Sequence, residues 1–182
     1  MNTRTVWKAY VDFEKEERWL NEMAADGWDF TRYTWCRYVF TKGTPGRYTY
    51  RIQLLPSAPS ADESSEYLGF LEDAGVETVD TYQRWVYVRK EDDGRPFDLF
   101  SDRESRVAHH RRVAALFGTI GAAQLPLLAV NAANVTAHLR DGALFAVPLF
   151  SAYLALLATI AAVVVRQLAT ARRLERDALV HE

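Results

Sequence analysis

Apolar and polar positions alternate along Trp7-Lys8-Ala9-Tyr10-Val11-Asp12-Phe13 and again along Tyr48-Thr49-Tyr50-Arg51-Ile52-Gln53-Leu54, a period of two that predicts half-buried strands. Each stretch then gives way to a helical period. Over residues 14–26, Leu20, Met23 and Ala24 share a face, and over 62–74, Tyr67, Leu68, Leu71 and Ala74 do the same. Gly27 and Gly75 stand where a helix-ending residue of positive φ belongs. Acidic side chains crowd both helix starts (Glu14, Glu16 and Glu17; Asp62 and Glu63), where they suit the positive end of the dipole, and Ser60 with Glu63 fits a capping box. These glutamates therefore read as structural before they read as catalytic.

Beyond each glycine the chain is strand-like again, at 28–30 and 37–40 in the first half and at 76–79 and 84–87 in the second. Arg37-Tyr38-Val39-Phe40 matches Arg84-Trp85-Val86-Tyr87, which marks an internal duplication. Each copy reads β-α-β-β. Two copies predict an α+β domain of ferredoxin-like character, with about six strands in one sheet and two helices on one face. Gly43-Thr44-Pro45-Gly46 and Asp92-Asp93-Gly94 are turn sequences, and 56–65 reads as a surface loop.

The C-terminal half has another pattern. Residues 113–137 and 143–165 contain no charge, and each is long enough to cross a hydrocarbon core of about 30 Å as a helix. The remaining chain is too short to bury two helices that are apolar all round. The expected organisation is a cytoplasmic duplicated domain over 1–102, a basic juxtamembrane linker over 103–112, a transmembrane hairpin formed by 113–137 and 143–165, and a basic helical tail over 166–182.

Charge supports this division. Residues 1–102 carry 13 Lys+Arg against 19 Asp+Glu, while 103–182 carry 9 against 5. Arg103, Arg106, Arg111 and Arg112 precede the first span and Arg166, Arg172, Arg173 and Arg176 follow the second, against Arg140 alone between them. Both termini are thereby expected on the cytoplasmic face of a bacterial inner membrane. Gln124, Asn131 and Asn134 lie close to one helical face, and uncharged amides in lipid read as packing groups between helices rather than as an ion path. Pro126 and Pro148 are candidate kinks.

Reaction chemistry is not marked. Cys36 is the sole cysteine, and His109, His110, His138 and His181 show no metal-ligand spacing. Phosphate-loop, dinucleotide, nucleophile-elbow and zinc-protease motifs are absent from the sequence. No catalytic residue, cofactor or metal is therefore assigned, and the acidic N-terminal half argues against nucleic acid as a partner. Aromatic residues are dense in the first 87 positions, more than one sheet face can hold. Trp28, Arg37, Tyr38, Tyr50, Arg51 and Trp85 are the candidate binding surface.

The run Phe13-Glu14-Lys15-Glu16-Glu17-Arg18-Trp19-Leu20-Asn21-Glu22-Met23-Ala24-Ala25-Asp26-Gly27-Trp28 resembles the bacterial domain-of-unknown-function 2812 family. The likeness continues in 40–52, in Glu66-Tyr67-Leu68 with Glu72-Asp73-Ala74-Gly75, and in Phe100-Ser101-Asp102. Val76 departs from it, where relatives tend to carry an aromatic. The resemblance implies a cytoplasmic domain followed by membrane spans, often encoded beside PadR-type transcriptional regulators, and it brings no catalytic residue with it. The expectation is a regulatory, sensor-like membrane-tethered module for an unknown ligand or protein partner, not an enzyme. The alternative is an accessory subunit or homo-oligomeric part of a membrane assembly such as an exporter.

Overall fold

A computed structural model of the chain describes residues 2–100, 102–140 and 146–179. It comprises two units, Met1–Ser101 and Asp102–Glu182.

In the first unit β1 (Thr3–Trp7) comes earlier than the alternation over 7–13 predicts. Residues 8–12 are instead a connection, because Asp12 accepts the Glu14 N–H at 3.1 Å and caps α1 (Phe13–Ala25). There follow β2 (Trp28–Thr34), β3 (Arg37–Lys42), β4 (Tyr48–Leu54), α2 (Asp62–Asp73), β5 (Glu77–Tyr82) and β6 (Trp85–Glu91). The β-α-β-β order of both copies is as the sequence predicts. The capping box is not: α2 starts from Ala61, with no side-chain cap.

The single six-stranded sheet is corrected to two antiparallel sheets of three strands, ordered β1-β3-β2 and β4-β6-β5. β2 and β5, which would have to join them, each carry a bulge, at Thr31 and Val79. A bulge breaks the ladder and increases twist. Side chains bridge the two strands instead: the Tyr33 N–H donates to Asp80 Oδ2 at 2.6 Å, and the Tyr33 and Tyr82 rings meet edge to face at 5.1 Å.

Each helix covers its own sheet. Trp19 of α1 meets Tyr38 and Phe40 edge to face at 4.8 and 5.6 Å, whereas Leu71 of α2 packs in one cluster with Leu55, Val76, Val86 and Val88. The other face of the second sheet, with Tyr50, Ile52 and Tyr87, is buried in the first copy's core, where Tyr87 lies 5.2 Å from Phe30. The copies are thus stacked. The matching face of the first sheet has no such cover: Thr3, Thr5 and Trp7 are exposed, and Arg37, Val39 and Thr41 are half-buried.

The second unit contains α3 (Arg103–Ala123), α4 (Leu125–Arg140) and α5 (Ala146–Leu179). The basic segment 103–112 is helical and forms the first turns of α3, started by Asp102, which accepts the Ser105 N–H at 2.6 Å. The basic tail from 166 continues α5 as far as Leu179. Residues 143–145 of the second expected span and 180–182 of the tail, including His181, lie outside the described residues. α3 and α5 are tied by the Arg111–Glu175 ion pair and by His110 Nδ1, 2.6 Å from Gln167 Oε1. The helix breaks at Gln124, just before Pro126, whose ring has no N–H and crowds the preceding turn. Pro148 lies in the first described turn of α5. Arg103–Arg140 and Ala146–Asp177 are long and apolar enough to cross a membrane, and apolar side chains such as Leu149 and Val165 face outward, 77% and 66% exposed.

Candidate functional site

Glu16 lies on the buried face of α1, four residues before Leu20 and seven before Met23. Its Oε1 accepts hydrogen bonds from the hydroxyls of Tyr38 at 2.7 Å and Tyr87 at 2.8 Å. One carboxylate oxygen thereby joins a tyrosine of each sheet. Burial pushes the Glu16 carboxyl above the ordinary range, partly offset by the two phenols that donate to it. Burial, and then the nearby carboxylate, push both phenols far above theirs. The Tyr33 ring lies tilted beside this cluster, 4.8 Å from Tyr38 and 5.4 Å from Tyr87.

Glu17, the next residue of α1, and Asn21, one turn beyond it, meet the free edge of β4. The Asn21 amide accepts the Tyr50 N–H at 2.7 Å and donates to the Tyr50 carbonyl at 3.0 Å, while Glu17 Oε2 accepts the Ile52 N–H at 3.0 Å. Arg51 pairs with Glu17 at 3.3 Å and donates to the Phe97 carbonyl at 2.8 Å. Helix side chains thus satisfy an edge that would otherwise invite pairing with another chain. Both acids serve the joint between the copies. In the sequence Glu16 reads only as one of the helix-start acids; the unused signal was its spacing of four to Leu20 and seven to Met23.

The predicted binding surface does not form one site. Tyr38 and Tyr50 are buried core residues, a correction that follows from strand parity: both point toward α1 and the facing sheet. The Tyr50 hydroxyl accepts the Phe30 N–H at 3.0 Å, and burial pushes its pKa up to about 12. Trp28 lies between the Arg4 and Lys42 cations, 5.5 and 4.8 Å from its ring. Arg51 is held by Glu17, and Trp85 packs against Phe13 at 6.0 Å. Arg37 lies elsewhere, opposite Trp7 of β1 and Thr34 of β2.

Around Arg37 the structure assembles a surface the sequence did not single out. Trp7 ends β1, Trp35 and Cys36 form the β2–β3 turn with φ of 43° and 62°, and the Lys8 N–H donates to the Cys36 carbonyl at 2.9 Å. Trp7 is 69% exposed and Trp35 73%. No glycine, proline, asparagine or aspartate marks the turn at Trp35 and Cys36, so nothing in the sequence signalled it in advance. In the spans, Gln124 contacts α5: the Tyr153 hydroxyl donates to its backbone carbonyl at 3.1 Å. Asn131 and Asn134 line a groove between α4 and α5.

No curated protein and no solved structure matches the chain significantly. A family described as proteins of unknown function matches residues 12–122, from the cap of α1 into α3. That match takes in more than half of the chain, including Glu16, every strand but β1 and most of α3, and on it the chain belongs to the DUF2812 family.

Proposed function

We propose that this protein is a membrane-tethered regulatory module whose N-terminal unit docks a protein partner on the cytoplasmic side, its two apolar helices spanning the bacterial inner membrane with both termini inside. The Trp7–Trp35 end of the first sheet carries this reading. Two indoles exposed beside Arg37 are the residue types that dominate binding energy, and they suit a partner segment bringing apolar side chains and a carboxylate. The same sheet face is the one whose counterpart in the second copy is buried in a sheet-to-core contact. The arginines flanking the spans favour the orientation. The role is binding without turnover, because Glu16 and Glu17, the acids that burial perturbs on α1, are committed to tyrosines, backbone and Arg51.

Two experiments test it. A photoreactive phenylalanine analogue at position 35 should give one discrete adduct in cells, lost on Arg37→Glu; no adduct, or one insensitive to that change, refutes docking at this end. For orientation, Cys36 of the wild-type chain should react with a membrane-impermeant maleimide only after permeabilisation. His138→Cys in a Cys36→Ser background should react in intact spheroplasts. The reverse pattern refutes the topology.

A further inference from the structure

In α4, Leu127, Asn131, Asn134 and His138 follow one another at spacings of four, three and four, which places them along one seam of the helix. All four line an open groove of about 570 Å³ whose opposite wall includes Phe150 and Tyr153 of α5. The other side of α4, about half a turn round the helix, carries Ala129, Ala132 and Thr136, none of them an amide. Counting back from Arg140 at about 1.5 Å per residue, Asn134 lies about 9 Å and Asn131 about 14 Å along the helix, depths within a hydrocarbon core about 30 Å thick. Asn131 Nδ2 donates to the Leu127 carbonyl of its own helix at 2.9 Å. Among the described residues, the Asn131 carbonyl oxygen and the whole Asn134 amide have no hydrogen-bond partner. Gln124 differs, since Tyr153 of α5 reaches it within the chain.

Amides at this depth need a partner that reaches them inside the bilayer. We propose that the partner is a second copy of this chain, with α4 packed on α4 about a two-fold axis along the membrane normal and the groove walls facing that axis. A carboxamide both donates and accepts, so it complements its own copy. The two-fold axis also places Asn131 opposite Asn131 and Asn134 opposite Asn134 at equal depth, which an unrelated helix achieves only by coincidence. The proposal concerns the spans and stands or falls separately from docking at Trp7 and Trp35. It does require membrane insertion, which the His138→Cys labelling tests on its own.

The test uses the full chain in a Cys36→Ser background. Oxidation of native membranes should convert most of Asn134→Cys to a species of twice the chain mass, and Thr136→Cys, on the opposite side at nearly the same depth, should yield under about a tenth as much. The wild-type chain in mild detergent should scatter as a dimer, and Asn131→Leu/Asn134→Leu, which keeps the spans apolar enough to insert, should halve that mass. A monomeric wild-type chain, equal cross-linking at 136 and 134, a 134 adduct of another protein's mass, or a monomer retaining lipid in the groove would each overturn the proposal.

Discussion

The Tyr87 hydroxyl donates to Glu16 Oε1 at 2.8 Å across 71 positions of sequence. Tyr38 donates to the same oxygen, so the contact between the duplicated copies is organised around one buried acid. Stacking, more than sheet continuity, makes the two copies a single unit.

Glu16 should therefore set a pH dependence of stability. Burial raises its carboxyl above the ordinary value of 4.5, so the native state keeps a proton that the unfolded chain has already released. Stability then falls as pH rises from 4.5 through the raised value. Glu16→Gln keeps an acceptor for the phenols and removes the charge. It should melt at or above the wild-type temperature at pH 8 and lose that advantage toward pH 4, with Glu17, raised by burial in the same direction, leaving some slope. Glu16→Ala strands both hydroxyls and should cost about 2 kcal/mol at neutral pH, measured by denaturant unfolding.

The helix-capped edge gives a second test. Asn21→Ala removes both hydrogen bonds to the Tyr50 backbone and leaves partly buried groups unpaired, at a cost of about 2 kcal/mol. Exposing the β4 edge should also raise aggregation on refolding, read by light scattering.

Gly27 and Gly75 separate conformation from space. Their φ values are +77° and +78°, so alanine at either is strained by about 1 kcal/mol. Nothing lies within 4 Å of a Cβ at Gly75, but at Gly27 it would meet Pro45 Cγ at 3.1 Å and the Gly43 carbonyl at 3.2 Å. Gly27→Ala should be the more destabilising of the two by thermal melts run side by side.

Trp7→Ala and Trp35→Ala remove exposed rings and should leave the melting temperature of the N-terminal unit within the equivalent of about 0.5 kcal/mol. Loss of the position-35 adduct on Trp7→Ala, with stability intact, would place Trp7 in the docking surface. A large drop in melting temperature would instead make it structural.

The duplication itself shows where pattern reading stops. The four-residue match pairs Arg37 with Arg84, an offset of 47. The structure pairs Gly27 with Gly75, the Thr31 bulge with Val79, and the Thr34–Arg37 hairpin ends with Tyr82–Trp85, an offset of 48. A one-residue slip sends every side chain to the other face. The literal match equates Phe40 with Tyr87, whereas Phe40 faces its own helix and Tyr87 faces the opposite way, into the other copy. The predicted surface failed at Tyr38 and Tyr50 for the related reason that each sheet uses its two faces differently.

From sequence alone came the β-α-β-β order, both helices to within a residue, the helix-ending glycines and the two apolar helices, because period, turn chemistry and unbroken hydrophobic length are local properties of the chain. The separation into two sheets, the burial of Glu16, the capping of β4 by Asn21 and the exposure of Trp7 and Trp35 were decided only by tertiary structure. Each depends on which face of one copy meets the other, and that is set by long-range packing, which no local period encodes.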